Sequence, residues 1–188
     1  MTGTSAKVYS FVAFMILLAG LCLFAGWGEA LAFPGLWPIC SFTVATFLLD
    51  QTGNDLRVEA KGSTSFVVHL ASGILFGAFW GGVVTGLGTI LSETQLGKRP
   101  IKIVFNAAQK VAALTGGMLL IHQLGAPQSL FAFGGEPLAF GADLQKNLWY
   151  FFVLSAFYFG LNTCSVSAVV ALSSGRKFAE VWNLNSKG

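Results

Sequence analysis

The stretch "SFVVHLASGILFGAFWGGVVTGLGTILS", Ser65 to Ser92, runs for 28 residues without a charged side chain. As one α-helix it would be ~42 Å long at about 1.5 Å per residue, against a hydrocarbon core of ~30 Å. That is too long for one upright span and short for two. Gly73, Gly77 and Gly81 recur at every fourth position and could give one tilted helix a close-packing face. The same glycines could let "FGAFWGG" turn the chain near Gly77 into two short helices, since glycine tolerates a break. The choice sets the helix count at five or six.

The charges arbitrate. Lys98, Arg99 and Lys102 outweigh Glu93 in the loop after this stretch, and Arg176, Lys177 and Lys187 make a second basic end. Short basic loops stay on the cytoplasmic side. Two spans, at about Ile101 to Gln123 and Leu148 to Leu172, separate these regions and place them on one side of the bilayer. Lys7 puts the N-terminus there too, so four spans must precede Lys98. Val8 to Gly26 supplies one, and about Leu31 to Leu49, with Pro34 and Pro38 in its first turns, supplies another. The other two require a break near Gly77. The expected fold is therefore all-α: a polytopic membrane bundle of six helices, or five if Ser65 to Ser92 is one tilted helix. It forms a single domain over 1–188, with 176–188 as a cytoplasmic, interfacial tail.

Composition agrees with a multi-pass membrane protein, whose loop charges place both termini on the cytoplasmic side. Of 188 residues, 54% are hydrophobic and 10% charged, and the mean hydropathy is +0.70; soluble domains carry roughly 25% charged residues. The net charge of +3 sits in loops and reads as topology information, not as a nucleic-acid surface. Cys22, Cys40 and Cys164 stand singly in apolar runs, without metal-ligand spacing, and read as small hydrophobes. Lys7 and "ALA" at Ala30 to Ala32 imitate a secretory signal, but the run from Val8 to Ala25 is longer than a usual signal core and reads as a retained span. Trp27 and Trp37 fit interfacial anchors, and Phe131, Phe133 and Phe140 suggest an external loop lying on the bilayer or folding back as a lid.

Polar groups inside spans are costly and face the bundle interior by default, so each is a candidate site. In "FNAAQK", Asn106 and Lys110 are four apart and Asn106 and Gln109 three apart, which puts all three on one helical stripe. That stripe either presents donors to a small polar or anionic ligand or bonds neighbouring helices, with Lys110 reaching toward the interface. His69 reads as a hydrogen-bonded core histidine or a ligand contact, Asn162 in "LNTCSVS" as helix glue or a site residue. Trp80, beside Gly81 and Gly82, could face a ligand space or simply pack. Asp50 and Glu93 are expected at span ends. There is no phosphate loop, HExxH, Ser/His/Asp signature or paired carboxylates within a span, so no catalytic residue, metal or cofactor is expected.

"LRVEAKGSTSFVVHLASGILFG", "KIVFNAAQKVAALTGGML" and "ALSSGRKFAEVW" together resemble the N-terminal membrane region of bacterial signalling proteins with cytoplasmic HD-GYP or GGDEF output domains. The resemblance covers about Leu56 to Trp182, and "FNAAQ" is its sharpest element. Such regions usually continue past the matching tryptophan into an output domain, whereas this chain stops at Gly188. A piece of a longer protein, a standalone input module and a subunit of a larger assembly all fit that pattern. The helix count and "GILFGAFWGG" more distantly resemble substrate-binding subunits of energy-coupling-factor vitamin transporters, though the first span lacks their Ala-x-x-x-Ala pattern. The expected function is a non-enzymatic sensory or ligand-binding membrane module with a protein partner or a second copy of itself. A small-solute uptake subunit and a structural subunit are the alternatives.

Overall fold

The computed structural model describes residues 2–28, 33–55, 64–126 and 144–186. Six helices follow one another: α1 (Thr2–Gly28), α2 (Leu36–Asp55), α3 (Phe66–Gln95), α4 (Pro100–Gln123), α5 (Leu144–Ser174) and α6 (Phe178–Ser186). No strand occurs among the described residues. The expected aromatic loop of Phe131, Phe133 and Phe140, and Ala30 to Ala32, lie outside them.

α3 combines both readings of its glycines. Gly77 adopts φ 79°, ψ 179°, a conformation open essentially to glycine alone, and divides the helix into arms 66–76 and 78–95. The arms fold back on each other so closely that a Cβ on Gly81 would lie 2.6 Å from Gly73 Cα. In a straight helix these residues would be ~12 Å apart. The glycine repeat is thus a close-packing face, but between two arms of one hairpin. The break near Gly77 is where the charge count required it.

Among the described residues, four helical stretches are long and apolar enough to cross a membrane: Ala6–Gly28, α3, α4 and Gln145–Ser174. For α3 the length is divided at the hairpin. Its second arm, ~27 Å long, nearly matches a hydrocarbon core, whereas the first, ~16 Å, covers only half of one. That first arm starts inside the bundle, where Ser65 and His69 are fully buried. α2 is not among the four; its last turns carry Asp50, Gln51, Asn54 and Asp55.

Packing fixes the helix directions. Phe11 meets Phe105 while Gly26 lies against Ala78 and Thr115, so α1 and α4 run parallel. Tyr150 donates to the Leu124 carbonyl and Leu154 packs on Gly117, so α5 runs antiparallel to α4. The start of α1, the α3–α4 turn and α6 therefore share one end, rich in Lys and Arg, here called the basic end. At the other, aromatic end, Trp27 stacks edge-on with Phe79, and Trp80 with Phe33 and Phe79. Between the ends, α4 packs Leu114, Met118 and Ile121 on Leu70, Ile74, Leu154 and Tyr158, and Phe105, Ala108 and Ala112 on Val12, Met15 and Ala19.

The basic end is tightly closed. Gly97, at φ 63°, ends α3, and the Lys98 amide bonds back to the Glu93 carbonyl at 3.2 Å. The Lys98 ammonium pairs with the Glu93 carboxylate at 2.8 Å. Arg99 is extended and Pro100 opens α4, where its missing N–H costs nothing. α6 packs along α5, burying Val181 and bonding Asn185 to Ser167 at 3.0 Å, while Phe178 and Leu184 stay exposed.

Candidate functional site

α2 continues past Leu49, and with it Asp50, expected at a span end, enters the bundle. It lies ~21 Å along its helix and is only 8% exposed. What holds a carboxylate there is Lys110, ~15 Å along α4. A helical side chain leans toward its own N-terminus, so the lysine stem points back toward the basic end and Nζ reaches Asp50 Oδ2 at 3.4 Å. Ser92 Oγ is 2.8 Å from the same oxygen and 3.1 Å from the Thr89 carbonyl. Its single proton belongs on the shorter contact with the charged acceptor.

A second polar pair joins the other arm of α3 to α5. His69 Nδ1 is 2.7 Å from the Tyr158 hydroxyl, and both residues are buried among Leu70, Leu114 and Leu154. His69 Nε2 is buried and has no hydrogen-bond partner among the described residues. If the tyrosine donates to Nδ1, Nε2 carries the proton and seeks an acceptor; in the other tautomer it seeks a donor. The charge of Asp50 acts on His69 and Tyr158, and that of Lys110 on His69, so the two pairs form one electrostatic unit.

The sequence candidates distribute unevenly around this unit. Lys110 and His69 belong to it. Gln109 is buried with its Oε1 unpartnered among the described residues, and Asn162 Oδ1 is likewise buried and unpartnered. Asn106, one turn before Gln109 on α4, is half-buried. Trp80 stands apart in the aromatic cluster. The glycines beside it serve packing: Gly81 touches Gly73, and a Cβ on Gly82 would fall 2.6 Å from Thr115 Oγ1.

Ser92 and Tyr158 carry no sequence expectation, and Asp50 is expected only at a span end. For Asp50 a signal existed: Thr43, Thr46 and Asp50, spaced i, i+3, i+7, make a polar stripe along one side of the helix. Tyr158 in "AFYFG" offers only one hydroxyl among phenylalanines.

Chemically, the arrangement ties four helices through three contacts. α2 is held to α4 by an ion pair and to α3 by Ser92; α3 is held to α5 by the imidazole. Anything that neutralises Asp50, or bonds to His69 Nε2, changes the free energy of helix packing. The four candidate spans place this chemistry in a membrane protein. No family model, curated protein or solved structure matches the chain.

Proposed function

We propose that this chain is a membrane-embedded sensory or ligand-binding module of the bacterial inner membrane. It has no catalytic activity of its own and acts through a partner protein. The observation that carries this reading is the buried Asp50–Lys110 pair beside His69 with its unpartnered Nε2. A bundle needing only stability would be served as well by apolar side chains at these positions, because a buried pair repays its desolvation poorly. Retaining ionisable groups here suits a switch. The resemblance to regions preceding HD-GYP and GGDEF domains supports a cytoplasmic output reached from the basic end, with α6 as the contact surface.

An uptake subunit would need an opening at the aromatic end. Ile39, Phe76 and Val84, with Phe42 and Trp80 packed on them, favour a closed face there and so favour sensing.

Native mass spectrometry of the protein released from nanodiscs tests the proposal. The expected result is a bound small molecule or a stoichiometric partner, with the small molecule lost in His69→Phe. A bare monomer in every preparation would overturn it.

A further inference from the structure

α2 and α3 meet along a seam of hydroxyl groups. On α2 the stripe is Thr43, Thr46 and Asp50; on the second arm of α3 it is Thr85, Thr89 and Ser92, and all six are buried. The stripes are in register: Thr46 packs on Gly88, where a Cβ would lie 2.5 Å from its Cγ2, and one turn on Ser92 bonds Asp50. The helices approach this closely because Gly88 has no side chain.

Buried Ser and Thr in membrane helices ordinarily bond a carbonyl of their own helix. Buried Ser72 does so here, as do the exposed Thr94, Ser173 and Ser174. The hydroxyls of Thr43, Thr46, Thr85 and Thr89 have no partner among the described residues. Four buried hydroxyl oxygens above one carboxylate form a set of hard oxygen donors, closed at the aromatic end by Ile39, Phe76 and Val84.

We propose that this seam binds a monovalent metal cation, Na+ or K+, with Asp50 as the charged ligand and the Thr46 and Thr89 hydroxyls as neutral ones. The charge count selects the class. One carboxylate balances one positive charge, whereas a divalent ion would leave net charge in an apolar interior. Lys110 is then a tethered competitor. At 3.4 Å its ammonium is longer than the 2.7–2.9 Å of a strong charge-assisted bond, and its stem already points to the basic end, where it can withdraw into water. Cation binding releases α4 from α2 and so gives the sensory reading, on which this inference builds, a specific input.

The test is thermal unfolding of the full-length detergent-purified chain in NaCl, KCl or N-methyl-D-glucamine chloride at constant ionic strength. Na+ or K+ should raise the midpoint saturably, and whichever ion acts at lower concentration identifies the cargo. Thr46→Val and Thr89→Val, which keep side-chain shape, should each weaken apparent affinity about tenfold or more. Lys110→Met should strengthen it by a similar factor, and Asp50→Asn should abolish the response. Equal midpoints in all three salts, or a response unchanged in both valine variants, would overturn the proposal. A cation response without bound molecule or partner would leave this site standing and remove the wider sensory reading; the reverse result would do the opposite.

Discussion

Lys110 is the residue whose side chain does most to keep a charged bundle interior tolerable. Removing one member of a buried ion pair strands the other, at about 3–5 kcal/mol, while replacing the pair with apolar groups is often neutral. In N-methyl-D-glucamine buffer, Lys110→Met should therefore lose about that much stability, and Asp50→Leu with Lys110→Met should recover most of it. Reversible unfolding in mixed micelles would measure the cycle; additive losses would mean that the 3.4 Å contact carries no coupling. Tyr158→Phe strands His69 Nδ1 and should cost about 1–3 kcal/mol. Tyr150→Phe should cost less, since its 3.2 Å bond goes to a carbonyl at the end of α4, beside the chain turn. Equal losses at the two tyrosines would argue against a special His69–Tyr158 link.

At the scale of elements, α3 depends on two glycines for different reasons. Gly77→Ala forces a Cβ into a backbone conformation worth about 1–3 kcal/mol of strain. Gly81→Ala leaves the helical backbone unstrained but drives a Cβ into the Gly73 backbone, so the arms must separate. Both should lower the unfolding midpoint. Gly20→Ala, which meets nothing within 4 Å, should be neutral or slightly stabilising through helix propensity. A Gly81→Ala variant as stable as Gly20→Ala would contradict the hairpin. The hairpin was legible from sequence because the loop charges decide between the two readings that the glycine spacing leaves open. α2's extension was signalled only by its polar stripe: Asp50 is followed by other polar residues, and Ser92 and Lys110, which hold it inside the bundle, are distant in sequence. The hydroxyl seam was equally hidden, since its register depends on Thr46 meeting Gly88 across two helices.

For the whole molecule, the start of α1 and α6 lie at one end. With the native cysteines replaced by serine, single cysteines at Lys7 and Lys177 should react with a membrane-impermeant maleimide from the same side of oriented vesicles. Labelling from opposite sides would break the bundle topology. Membrane residence followed from composition, because few charges over a long chain suit lipid, and the all-α architecture followed from apolar runs of span length. The site did not, because it joins residues from four helices. The same separation has a consequence for biosynthesis. Asp50 leaves the ribosome 60 residues before Lys110, and a lone acid in a helix entering lipid is disfavoured by up to ~3 kcal/mol at insertion. α2 and the short first arm of α3 therefore gain their stable places only once α4 has been made. The order of synthesis makes the fourth helix the latch, and a chain interrupted before Lys110 should present an extractable α2 to the cell's quality-control proteases.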